Sequence, residues 1–170
     1  MNGREFFLQA IYFVIYVGLQ MVFVRNLVVF DVAFCFVYVA FILLLPLETD
    51  TVLLLLLSLI TGLLVDSFYD TAGIHAAACV LMGYLRPWVI RIITPRGGYD
   101  QNLRISLDYM GTEWFFSYSL ILIVFHHLAL FLIEASQWSL VPLALLKTLC
   151  SSVFTWIMLI IIQYLFYRRR

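Results

Sequence analysis

The stretch TVLLLLLSLITGLLVDSFYDTAGIHAAACVLMGYL, residues 51–85, reads as two apolar helices folded back on each other. Asp66 is the one acid inside the first of them. Fifteen residues separate it from Asp50, about 22 Å of helix, whereas hydrocarbon is about 30 Å thick, so Asp66 lies inside a bundle and the helix runs on through Phe68 and Tyr69. Ser58, Gly62 and Asp66 recur at i, i+4, i+8; beyond a turn closed by Gly73, Ala72, Ala76, Cys79 and Gly83 form a second stripe of small residues. Membrane helices approach closely along such stripes, because lipid offers no hydrophobic drive for their association. A tight helical hairpin is expected, with Asp66 near its turn. There the carboxylate either accepts from the free N–H groups opening the next helix or pairs with His75.

Working outward, the rest of the chain has the same character. Hydrophobic residues make up 65% of the 170 and charged ones 12%, too few to cover the surface of a water-soluble domain. Spans are expected at about 6–24, 27–47, 51–69, 73–93, 113–133 and 139–167. The fold class is therefore an all-α polytopic membrane protein, a single membrane domain over 1–170 built as a six-helix bundle. Short connections make consecutive spans antiparallel neighbours. Only 94–112 can hold more: after Thr94-Pro95-Arg96-Gly97-Gly98, Leu103, Leu107 and Met110 share one helical face with Arg104 and Asp108 away from it, which predicts a short helix in the membrane surface.

With both termini cytoplasmic, Arg4, Arg86, Arg91, Arg96, Arg104 and Arg168 to Arg170 lie inside, eight against Arg25 outside. Trp88, Trp114 and Trp138 fall near span ends, where amphipathic rings prefer the interface. The first span lacks a small-residue cleavage site and is expected to be retained. Cys35, Cys79 and Cys150 fall inside spans as packing residues, and neither a disulfide framework nor zinc spacing is present. Basic residues form no soluble patch, so nucleic acid is not an expected partner. No Gly-x-Ser-x-Gly elbow, phosphate loop or paired carboxylates appear, so no catalytic residue, metal site or cofactor is expected and the chain reads as non-enzymatic.

Ionisable groups at membrane depth are costly and each implies a partner, a cavity or a task. Asp31, Asp66, His75, His126 or His127, and Lys147 all fall in the outer half, as a buried polar cluster that lines a partner or ligand cavity. His127 and Lys147 are placed to meet. Because adjacent helical residues are about 100° apart, one of His126 and His127 is expected to face the bundle centre. Ser151 and Thr155 follow Lys147 at helical spacing as polar glue between helices, and Arg168 to Arg170 read as a topological anchor.

Gly62, Asp66, the loop ending in Gly73, His75 and then Gly83-Tyr84-Leu85 resemble the pattern of the rod shape-determining protein MreD family, as do the small size, six spans and basic C-terminal end. The resemblance covers about a quarter of the chain. It implies a bacterial inner-membrane protein of the elongation machinery, a scaffold partnered with MreC and working with MreB, RodA and its class B transpeptidase to maintain rod shape and position lateral peptidoglycan synthesis. That family is also similar to the substrate-binding S components of energy-coupling-factor vitamin transporters, six-helix proteins with an outward pocket. This implies an alternative, a vitamin or small-molecule transporter subunit. S components dock through Ala-x-x-x-Ala on the first helix, whereas Ala10 here is followed at i+4 by Val14.

Overall fold

The structure is a computed structural model that describes residues 3–99 and 105–165. In chain order it holds α1 (Gly3–Leu19, prolonged by a π-helical turn Gln20–Val24), the two-residue strands β1 (Val28–Val29) and β2 (Ala33–Phe34), a short α2 (Val39–Leu43), α3 (Thr51–Tyr69), α4 (Ile74–Ile92), the single turn α5 (Leu107–Met110), α6 (Thr112–Ala135) and α7 (Val141–Leu165). Four helices, Phe6–Val24, Thr51–Tyr69, Thr112–Ala135 and Trp138–Leu165, are long and apolar enough to cross a bilayer, so this is a membrane protein. The helix α4 is as long as α3, but Arg86, Pro87 and Arg91 interrupt its apolar sequence.

The α3–α4 hairpin begins where the Asp50 carboxylate accepts the N–H groups of Val52 and Leu53, at 2.9 and 3.3 Å, and so caps α3. It turns where Asp70 adopts a left-handed conformation at φ 56° and Gly73 another at φ 86°, the latter at little cost for a glycine. Contact between the helices is close at two levels. A Cβ on Gly62 would overlap the backbone of Ala76 and the His75 carbonyl, and one on Gly83 would lie 2.5 Å from the Ser58 hydroxyl. Ala72 is different: it precedes α4 in the exposed turn and takes no part in the stripe formed by Ala76, Cys79 and Gly83.

Beyond the hairpin, α4 packs on α6 and α6 on α7, while α1 lies against α2 and β2 against α7. Gln163 accepts from the Leu107 N–H, which ties the end of α7 to the segment entering α6.

The largest departure from expectation lies in residues 27–47, which do not form one continuous helix. They fold as the β1–β2 hairpin, paired antiparallel with Val29 opposite Ala33, then as extended chain, then as the five residues of α2. Phe30 and Asp31 turn the hairpin with φ of 52° and 58°. The composition explains the break: Val28, Val29, Phe30, Val32, Phe34, Phe36, Val37 and Tyr38 are β-branched or aromatic, residues that favour strands over helix. Every residue from Cys35 to Leu43 is buried, and the surrounding helices enclose this segment as the core of the bundle.

Of the loop 94–112, the described part forms the single turn α5, with Leu107 buried and Asp108 half-buried. Leu103, Arg104 and Arg168 to Arg170 lie outside the described residues.

Candidate functional site

Irregular backbone at membrane depth persists only where protein groups satisfy its N–H and C=O groups, and the broken segment is satisfied by side chains from four helices. On α7, the Ser151 hydroxyl accepts the Phe34 N–H at 2.9 Å and donates to the Val32 carbonyl at 3.3 Å, and Thr155 accepts the Phe36 N–H at 3.0 Å. At the π-helical end of α1, the Gln20 amide donates to the Cys35 carbonyl at 3.1 Å and to the Tyr69 hydroxyl on α3 at 2.7 Å, while its oxygen accepts the Tyr38 N–H at 3.4 Å. At the other end of the segment the Tyr118 hydroxyl on α6 donates to the Leu43 carbonyl at 2.9 Å. Arg86, buried on α4, donates to Tyr118 at 2.8 Å and to the carbonyls of Leu45 and Pro46.

Arg86 is a correction to the sequence reading, which counted it among cytoplasmic flanks. It is 1% exposed, and among the described residues no carboxylate pairs with it. In place of a carboxylate it is received by the carbonyls of Leu45 and Pro46, just beyond α2, and by the Tyr118 hydroxyl. On the expected topology the basic count at the cytoplasmic flanks becomes seven against one.

The second group of contacts joins the histidines. The Tyr38 hydroxyl lies 2.7 Å from His75 Nδ1 and 3.0 Å from His126 Nε2, with the Cys79 thiol 3.9 Å from the same nitrogen. A hydroxyl has one proton, so Tyr38 donates to one ring and accepts from the other. The free atom decides which: His126 Nδ1 is buried without a partner, and an orphaned acceptor is tolerated better than an orphaned N–H. Tyr38 therefore donates to His75, and His126 donates to Tyr38 through Nε2. His127 donates from Nδ1 to the Ile123 carbonyl at 2.8 Å and accepts at Nε2 from Thr155 at 3.2 Å. Both neighbouring histidines are thus interior, where one was expected. Their rings meet edge to face with centroids 5.3 Å apart, and the Phe36 ring of the broken segment packs against each, with centroids 6.4 and 5.4 Å away.

The other expected members are placed as follows. Asp66 is buried, and its carboxylate accepts the N–H groups of His75 and Ala76 at 3.0 and 2.9 Å and the Thr71 hydroxyl, capping α4 from the neighbouring helix. Lys147 pairs with Glu134 at 3.3 Å, near the surface. It does not meet His127; both lie against the Phe131 ring, the ammonium 5.6 Å and the imidazole 6.1 Å from its centroid. Asp31 leaves the cluster altogether, because the hairpin turn carries it to an exposed position.

Among the described residues no group of three or more His, Cys, Asp and Glu is arranged to hold a metal ion. The interior network of hydrogen bonds locks the broken segment in place and leaves His126 Nδ1 and the Ser152 hydroxyl without a partner. A shallow apolar hollow of about 500 Å3 lies elsewhere, on the outward-facing side of α3 and α4, lined by Leu55, Leu59, Ala76, Ala77, Val80, Leu81 and Tyr84. Sequence reasoning did not single out Gln20, Tyr38 or Tyr118, whose partners are distant in the chain. No protein-family model, no curated protein and no solved structure matches this chain.

Proposed function

We propose that this protein is a membrane scaffold of the bacterial elongation machinery that binds the single span of MreC. In this reading it is a six-span inner-membrane protein with both termini cytoplasmic, working beside MreB, RodA and a class B transpeptidase. The observation that carries the docking mechanism is the apolar hollow on α3 and α4, where Ala76, Ala77 and Val80 leave room for side chains of a partner helix. Supporting it, Gln20, Tyr38, His75, His127, Ser151 and Thr155 are engaged with one another and with the broken segment. A transporter would instead use such groups to hold a solute.

Filling the hollow tests this. Ala77 is exposed, so Ala77→Trp is expected to leave the fold intact while lowering MreC recovery in detergent co-purification at least tenfold, about 1.4 kcal/mol, and widening cells. Leu149→Trp on the lipid-facing side of α7 serves as the control. Unchanged MreC recovery with Ala77→Trp would remove this face as the docking site.

A further inference from the structure

Of the seven side chains that line the hollow on α3 and α4, only Tyr84 carries a polar atom. Its depth follows from its neighbour. Gly83 faces Leu54 and Ser58, which lie three and seven residues beyond the start of α3 at Thr51, about 5 and 10 Å of helix. Tyr84 therefore stands on the lower half of the hairpin, above the end that carries Asp50. Side chains tilt toward the N-terminus of their own helix, and α4 begins at Ile74, at the opposite end. The phenol thus leans away from the nearer boundary and over Val80 and Leu81, with which it lines the hollow. A tyrosine that anchors a span at the interface turns its hydroxyl to the headgroups; Tyr84 is turned into the apolar face.

That hydroxyl is unsatisfied. Tyr84 is 54% exposed, and among the described residues it makes no hydrogen bond, whereas the hydroxyls of Tyr38, Tyr69, Tyr99 and Tyr118 each have a partner. Acyl chains offer neither donor nor acceptor, so a lipid seated in the hollow leaves the group bare. A helix with a hydroxyl or amide side chain at that depth satisfies it. At the far end of the hollow Ala76 and Ala77, eight and seven residues before Tyr84 and about 10–12 Å along the axis, present only methyl groups. Positions seven or eight apart share one face of a helix, so a single docked helix meets both ends of the hollow at once.

We propose that the partner's span lies along α4 in this hollow, with a hydroxyl or amide side chain bonded to Tyr84 and a large apolar side chain, seven or eight residues away, over Ala76 and Ala77. The inference rests on the docking reading above and adds what the docked helix carries. The two contacts also fix register. A slide of one turn toward Ile74 sets the polar group against Val80, unpaired, and carries the large side chain past the alanines.

Co-purification of the full chain with MreC tests this. Tyr84→Phe keeps the ring and removes the hydroxyl, and is expected to lower MreC recovery about threefold or more, the scale of a hydrogen bond between membrane helices, with folded yield and elution volume unchanged. Polar residues of the MreC span are then replaced one at a time by apolar residues of similar shape. One replacement is expected to match the effect of Tyr84→Phe and to add nothing in its presence. Wild-type recovery with Tyr84→Phe, while Ala77→Trp still lowers it, overturns the polar contact and leaves the docking face standing; so does full additivity at every polar position of the span. A smaller assembly of the chain alone after Tyr84→Phe gives the face to a second copy and overturns the proposal. No MreC recovered by the unmodified chain, or no effect of either substitution, overturns the docking reading and this inference with it.

Discussion

Thr155 shows how a single hydroxyl carries both halves of the buried network. It accepts from the backbone of the broken segment at Phe36 and donates to His127, so its removal strands a backbone donor and an imidazole acceptor in the same place. Thr155→Val keeps the shape and loses both bonds; leaving a buried donor unpaired costs about 1–3 kcal/mol, whereas Thr155→Ser keeps the hydroxyl. The expected outcome is a clear fall in the thermal midpoint of the detergent-solubilised protein for valine and a much smaller one for serine, read by loss of the monodisperse peak after heating. A larger fall for serine than for valine would show that the methyl group, not the hydroxyl, matters. At this scale the sequence was informative about which groups are polar and buried, as with Asp66, but not about partners. Ser151 and Thr155 look like glue between helices, and nothing in their spacing reveals that they serve a backbone more than a hundred residues away. Arg86 was misplaced for a related reason: six residues from a helix end, an arginine reads as a flank unless the carbonyls that receive it are known.

Among the elements, the α3–α4 hairpin was legible because its signals are local: glycines and small residues at helical spacing, an acid one turn from the end, and a glycine closing the turn. Its geometry gives a sharp contrast. Gly62→Ala places a methyl group against the backbone of Ala76, which cannot give way as a side chain can, while Ala72→Leu adds bulk at an exposed position. Overpacking costs typically about 1–3 kcal/mol, so Gly62→Ala is expected to lower the yield of folded protein and Ala72→Leu to leave it unchanged, as measured by fluorescence-detected gel filtration. Comparable yields would argue that the helices stand farther apart. The second segment was not legible. Its apolar run is long enough for a span, and a residue buried on every side carries no periodicity that separates helix from extended chain. What distinguishes it is an excess of β-branched and aromatic residues, a weak signal by itself, made decisive by hydrogen bonds from Gln20, Ser151, Thr155, Tyr118 and Arg86. Local propensity disfavours helix there, and tertiary contacts supply what the missing helical bonds leave open.

For the molecule as a whole, the contacts determine which element ends lie together. Gln20 on Tyr69 brings the end of α1 beside the end of α3, and Arg86 on Tyr118 brings the end of α4 beside the start of α6. The broken segment runs between these two levels, bonded to Gln20 at Cys35 and to Arg86 at Leu45, so it crosses the bundle without being one helix. Counted with the five long helices, it makes six crossings in the topology we propose, and Gly97 and Ser136 then fall on opposite sides. A count restricted to the four apolar helices, with α4 and the broken segment failing to cross, makes a different prediction. The chain would pass through the membrane once, between Gly97 and Ser136, in either scheme, but the loop at Glu48 to Asp50 would share a side with Gly97 only if both α3 and α4 cross. Reporter fusions therefore need three sites. Activity of a cytoplasmic reporter after Asp50 and Gly97, and of an extracytoplasmic one after Ser136, is the expected pattern, in keeping with the seven basic residues on the side of Gly97. A cytoplasmic signal at Gly97 combined with an extracytoplasmic one after Asp50 would mean that an odd number of crossings lies between them, and the six-crossing topology would have to be abandoned.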